Sequence, residues 1–175
     1  MKALALRISQ ALDHPVELFL GPQALVDALA TLARNTDRAA LVLPDPEVSL
    51  THSDRATVAA ATRGAAGIGV DHERMRGVSS AVGRWFLDDP TLRWLARLDR
   101  PRRSHELIRL WTVKEALFKA DPENARRCLG DFALADPAAL AGRARVSGDS
   151  RRVFRYATTE FAGGALSVAI CEPAR

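Results

Sequence analysis

The stretch from Ser104 to Ala120 constrains this chain most, because it runs without glycine or proline and sets Leu107, Leu110, Trp111 and Phe118 on one helical stripe. The pattern predicts a helix over 104–120, with Ser104 capping its start and Pro122 ending it. Lys114 falls in the middle of the apolar stripe, an unusual place for an ammonium group. Glu115 lies four residues after Trp111 and four before Lys119, so it flanks the stripe and reaches Lys119 on the next turn. Lys114 and Lys119 are two of only three lysines, Lys2 being the other; the rest of the 25 basic residues are arginine. A pair retained in so lysine-poor a chain reads as selected for chemistry. The plainer alternative is a surface Glu–Lys pair worth about 0.2–0.5 kcal/mol, with Lys114 laying its stem across the core edge.

A second acidic site lies upstream, in Gly67-Ile68-Gly69-Val70-Asp71-His72-Glu73. Apolar residues at 65, 66, 68 and 70 between glycines predict a buried strand over 65–72 whose end delivers Asp71 and Glu73. Residues two apart on a strand share a face, so the two carboxylates stand side by side and repel unless a cation or a shared proton compensates them. With Glu115 near, three oxygen donors could hold a hard divalent ion such as Mg²⁺; the alternative is a solvated strand terminus. The third element is His52, in Ser49-Leu50-Thr51-His52-Ser53-Asp54, just before a small-residue strand.

These elements, in this order, resemble the 4′-phosphopantetheinyl transferases, and specifically their surfactin-type branch. Members show S-H-S, then G-I/V-D-x-E, then an aromatic pair, then W-x-x-K-E-A-x-x-K. Here the corresponding stretches are Thr51-His52-Ser53, Gly69 to Glu73, Arg84-Trp85-Phe86 and Trp111 to Lys119, within residues 47–121. The resemblance implies transfer of the phosphopantetheine arm of coenzyme A to a serine of an acyl or peptidyl carrier protein, releasing adenosine 3′,5′-bisphosphate. It implies that Asp71, Glu73 and Glu115 bind Mg²⁺, that Glu115 is the general base, and that Lys114 and Lys119 contact coenzyme A phosphates. Lys119 would also stabilise the leaving group, and His52 would lie at the nucleotide end, near its 3′-phosphate. The alternative is a non-catalytic member that binds a carrier protein or partner subunit through its basic surface.

The implied fold is two pseudo-symmetric α/β halves with antiparallel sheets packed on helices, meeting near Gly69, with the first half shortened. That makes one unit over residues 1–175, with halves of about 1–68 and 69–175. The first half offers Arg7, Arg34, Arg38 and Arg55, among its basic residues, to grip coenzyme A. Two positions depart from the family pattern. His72 stands where an apolar residue is common, and Ala120-Asp121-Pro122-Glu123-Asn124 replaces a glycine-bearing loop.

A hydrophobic share of 47% is enough for a core in a chain of 175 residues. Net charge of +4 suits anionic partners, coenzyme A and acidic carrier proteins among them. The densest basic run, Arg93 to Arg103, is either a solvated helix end or a carrier-docking patch. Cys128 and Cys171 form no metal-binding or disulfide pattern, and no apolar run approaches the length of a membrane span, so a cytoplasmic monomer without membrane partners is expected. Nucleic-acid binding is not expected, since no binding motif is present and only one tyrosine interleaves with the arginines.

The remaining periodicity predicts strands at about 3–9, 47–51 and 56–62, then helices at 22–34, 79–87 and 89–98. A short helix at 137–141 follows, with strands at 143–147, 152–160 and 164–171, the last two forming a hairpin through Gly163-Gly164. Sheets with helices on one face define an α+β architecture.

Overall fold

The computed structural model describes residues 1–34, 41–54 and 56–173. Eight strands are present among them: β1 (Glu17–Leu20), β2 (Val48–His52), β3 (Thr57–Ala61), β4 (Gly67–Arg74), β5 (Phe132–Leu134), β6 (Ala141–Val146), β7 (Asp149–Phe161) and β8 (Gly164–Cys171). Four α-helices accompany them: α1 (Lys2–Leu12), α2 (Ala24–Thr31), α3 (Asp89–Ala96) and α4 (Arg100–Ala120). The strands form two antiparallel sheets, ordered β1-β3-β2 and β4-β8-β7-β6-β5. The α+β architecture is the expected one.

α4 is the central element. It begins four residues before the predicted start, because Asp99 rather than Ser104 caps it: the Asp99 carboxylate accepts from the Arg102 amide at 2.9 Å, and Pro101 occupies the first turn. Ser104 instead ties the helix to the chain after β4, accepting from the Val78 amide and donating to the Arg76 carbonyl. α4 lies across the five-stranded sheet, where Leu107, Leu110, Val113 and Leu117 are buried. Each such side chain contributes about 1.5–3 kcal/mol relative to exposure.

The segment predicted as a strand at 3–9 is helix α1. Leu4, Leu6 and Ile8 alternate as a strand would, but Leu4, Ile8 and Leu12 also repeat at helical spacing, and it is these three that are buried while Leu6 is 59% exposed. Their apolar face closes a core shared by both sheets, with Val58 and Ala60 from one and Ile68, Val70, Leu166 and Val168 from the other. The predicted helix at 137–141 is a turn held by Asp136, whose carboxylate accepts from the Ala138 amide, and β6 starts at Ala141. Residues 80–85 form a 3-10 helix instead of an α-helix, and the short strands β1 and β5 were not predicted. The β7–β8 hairpin is present, its turn made by Ala162 and Gly163, both at positive φ.

The two sheets meet at the outer edge of β4. There the amides of Val70 and His72 donate to the hydroxyls of Ser49 (3.0 Å) and Thr51 (3.3 Å) on β2. Side-chain oxygens thus satisfy a strand edge that would otherwise expose unpaired donors. This seam sets residues from the first sheet beside the carboxylates of β4.

Candidate active site

The alternation of β4 explains its odd sequence. Gly67, Gly69, Asp71 and Glu73 share the face turned to α4, while Ile68 and Val70 face the shared core. A Cβ at Gly69 would stand 1.9 Å from the Ala116 carbonyl oxygen, and one at Gly67 would stand 2.1 Å from that of Ala120. The two glycines therefore let β4 lie directly on α4, and the next two residues on that face carry the carboxylates.

Asp71 is 6% exposed. Its Oδ1 accepts from the Lys119 ammonium at 2.8 Å and from the Thr51 hydroxyl at 3.1 Å, and Lys119 also donates to the Val70 carbonyl. Its Oδ2 is buried with no hydrogen-bond partner among the described residues. Glu73 lies further out, with Arg76 at 3.7 Å. Burial pushes the Glu115 carboxyl above the usual carboxylate range; Asp71 and, more weakly, Glu73 push the same way, against the pull of Lys119. Asp71, Glu73, Glu115 and Lys119 thus act on one another electrostatically. Among the described residues, however, no three His, Cys, Asp or Glu side chains are gathered as a ready metal cage.

Lys114 is placed elsewhere. It is 2% exposed, and its ammonium donates to the Phe132 carbonyl on β5. Burial draws its pKa down to about 8, opposed by Asp88, Cys128 and Asp131. The geometry makes it a core residue bracing α4 against β5, in contrast to the phosphate contact implied by the resemblance. His52 stands exposed at the end of β2, its Nδ1 2.7 Å from the Thr57 hydroxyl, and shares a surface depression with Glu73 and Arg76. His72 points away from the carboxylates. Its Nε2 donates to the Phe161 carbonyl at 3.0 Å, and its Nδ1 lies 2.8 Å from the Ser53 hydroxyl. A histidine at this position is satisfied on both nitrogens and needs no ligand.

Thr51 joins the site although the sequence reading centred on its neighbour His52. The signal was the alternation of Ser49 and Thr51, two hydroxyl residues facing inward on a strand where apolar residues are usual. Beside Glu73, a slot of about 120 Å³ is lined by Val78, Val82, Phe86, Leu107, Ile108 and Trp111. Phe86 and Trp111 meet edge-to-face, with ring centroids 5.0 Å apart. Beyond Lys119, the segment that replaces a glycine loop is anchored by Asp121, which is fully buried. Its carboxylate accepts from Arg152 at 2.9 Å and from the Glu123 amide at 2.9 Å, with Arg127 3.4 Å away. Of the first-half arginines, Arg34 is paired with Asp45 and Arg7 is exposed on α1, while Arg38 and Arg55 lie outside the described residues.

A strand that carries two carboxylates is thus pressed by glycines onto a helix that answers with a carboxylate and an ammonium. The family model described as the 4′-phosphopantetheinyl transferase superfamily matches residues 67–171, from the first residue of β4 to the last of β8, and the chain belongs to that superfamily. The fold is similar to the crystal structure of Thermotoga maritima holo-(acyl-carrier-protein) synthase (AcpS), with a TM-score of 0.51 and 17% sequence identity over 62% of this chain. The chain spans 64% of that protein's length. No curated protein matches the sequence. No helix among the described residues is long and apolar enough to cross a membrane.

Proposed function

We propose that this protein, as a surfactin-type member, transfers the 4′-phosphopantetheine arm of coenzyme A to a serine of an acyl or peptidyl carrier protein, releasing adenosine 3′,5′-bisphosphate. The observation that carries the reading is the Asp71–Lys119 pair beside a Glu115 whose proton is held more tightly than usual, in a chain of this superfamily. A hydroxyl attacking a phosphoryl centre needs its proton removed, the diphosphate charge neutralised and the two partners held in line.

Glu115 takes the serine proton, its raised pKa bringing it nearer the working pH of a general base. Lys119 holds Asp71 in place and supplies positive charge to the departing phosphate. His52, on the rim shared with Glu73, faces the nucleotide end. The apolar slot beside Glu73 excludes water from the uncharged part of the arm.

The donor chemistry fits Mg²⁺. Asp71 presents a buried oxygen without a partner, and the mutual repulsion of Asp71, Glu73 and Glu115 is what a cation relieves. Mg²⁺ commonly keeps several waters and uses one or two carboxylates plus substrate phosphates, so it does not require a ready cage. Asp71, Glu73 and Glu115 are the residues that would hold it. Bound there, it would neutralise charge on the diphosphate.

Incubation of the protein with coenzyme A, Mg²⁺ and a panel of apo carrier proteins tests the reading: one carrier gains the mass of a phosphopantetheine, and Glu115→Gln prevents it. The net charge of +4 is the observation behind a second reading, a non-catalytic member that binds a carrier protein or partner subunit through its basic surface. Calorimetric titration with coenzyme A separates the two. Mg²⁺-dependent binding supports the transferase, and absence of binding supports the module.

A further inference from the structure

We propose that His72 is a positioning residue for the nucleotide end of coenzyme A: through Ser53 it fixes the chain that carries His52, while through Phe161 it is itself held by the β7–β8 hairpin. This rests on the transferase reading, with His52 beside the 3′-phosphate. His72 takes the place of an apolar residue between Asp71 and Glu73, and strand alternation turns it to the opposite face, where it is 2% exposed. A polar ring buried there needs partners. Nε2 donates to the Phe161 carbonyl at 3.0 Å and Nδ1 lies 2.8 Å from the Ser53 hydroxyl, contacts that span 89 and 19 residues of sequence. One ring thereby joins the two sheets.

The ring has little room to turn. Phe161 meets it edge-to-face with ring centroids 5.7 Å apart, and β8 passes so close that a Cβ at Gly164 would stand 2.8 Å from Nε2 and 2.2 Å from the Glu73 carbonyl oxygen. On the other side, Ser53 closes the connection between β2 and β3: its amide donates to the Ala56 carbonyl at 2.9 Å, and its hydroxyl accepts from the Ala56 amide at 3.2 Å. His52 precedes Ser53 directly, and its Nδ1 lies 2.7 Å from the hydroxyl of Thr57, which follows Ala56. Fixing Ser53 therefore fixes His52 on the rim of the depression it shares with Glu73, Arg74 and Arg76. A second tie, from Arg74 to Asp54 at 3.3 Å, is exposed on both partners and easily screened, so the buried ring sets the position. An apolar side chain at 72 would hold neither Ser53 nor the hairpin.

Two substitutions divide the contacts of the ring. Glutamine sets an amide near the Nε2 position and keeps the Phe161 contact, whereas asparagine sets one near Nδ1 and keeps the Ser53 contact. Calorimetry gives Kd for coenzyme A and for 3′-dephospho-coenzyme A in the wild type, His72→Gln, His72→Asn, Ser53→Ala and the Ser53→Ala/His72→Gln double variant, alongside melting temperature. His72→Gln binds coenzyme A about ten-fold more weakly, the scale of one charge-assisted contact to a phosphate, at a melting temperature near that of the wild type. The dephospho compound, which lacks the phosphate set beside His52, loses little. His72→Asn keeps the affinity for coenzyme A and melts lower. Ser53→Ala reproduces the ten-fold loss, and the double variant adds nothing to it, because both changes break one coupling. Wild-type affinity in a folded His72→Gln overturns the proposal while leaving the transferase reading intact, and so does an equal loss in His72→Asn, which would make the ring a packing element alone. Wild-type affinity in Ser53→Ala overturns it even where the His72 variants fail to fold. Wild-type protein that binds no coenzyme A removes the transferase reading, and the positioning role with it.

Discussion

The Lys119 ammonium lies 2.8 Å from Oδ1 of Asp71 and 3.2 Å from the Val70 carbonyl, so one side chain of α4 grips both the backbone and the carboxylate of β4. Asp71 is nearly buried, and removing its partner leaves an uncompensated charge. Lys119→Met is expected to lower transfer by about a hundred-fold or more, the range seen when one electrostatic contact to a developing charge is lost. Stability falls by about 1–3 kcal/mol. Rate measurements with urea unfolding on the same preparation check both.

Glu115→Gln separates catalysis from folding. The folded carboxyl holds its proton more tightly than the unfolded one, so wild-type stability falls as pH rises through the interval between the ordinary and the raised pKa, and stays lower above it. Glutamine abolishes transfer yet is expected to unfold at higher denaturant than the wild type at neutral pH. Below the ordinary carboxylate pKa the two proteins converge. Unfolding curves at acid and neutral pH test this.

Lys114 reverses the sign. Its pKa of about 8 is depressed, so the unfolded chain binds more protons between about pH 8 and the ordinary lysine value, and stability rises with pH across that window. Below it, the buried ammonium costs about 3 kcal/mol. Lys114→Met removes this cost but leaves the Phe132 carbonyl unpaired, which costs about 1–3 kcal/mol. Near-wild-type stability at pH 7, loss of the rise above pH 8 and unchanged coenzyme A affinity are expected. A tenfold weaker coenzyme A complex would restore the phosphate contact to Lys114.

Gly69→Ala places a methyl where the Ala116 carbonyl oxygen stands, and backbone cannot step aside cheaply. Overpacking of this kind costs about 1–3 kcal/mol or more. Because β4 must shift away from α4, Asp71 is carried off Lys119, and transfer is expected to fall further than stability. A melting curve and a rate at a temperature where the variant is folded distinguish the two losses.

The carboxylates and the ammonium of the candidate site were legible in the sequence because each obeys a local period. Asp71 and Glu73 follow two glycines on alternate strand positions, and Glu115 and Lys119 are one helical turn apart. The start of α4 was misread because both Ser104 and Asp99 are competent caps, and the choice went to the one with Pro101 in the following turn. α1 was misread because Leu4, Leu6 and Ile8 satisfy a strand period as well as Leu4, Ile8 and Leu12 satisfy a helical one. A segment that fits both periods is decided by what it packs against.

By itself the sequence determined which side chains share a face: periodicity is a property of neighbours along the chain and needs no fold to be true. Only the tertiary structure decided which faces meet. It turned Lys114 into the core against Phe132, brought Thr51 from another sheet onto Asp71, and left Trp85 in solvent beside the buried Phe86. The reason is distance along the chain. Contacts across 18 or 20 residues are set by competition among all the apolar surfaces for burial, and a local pattern carries no record of how that competition ends.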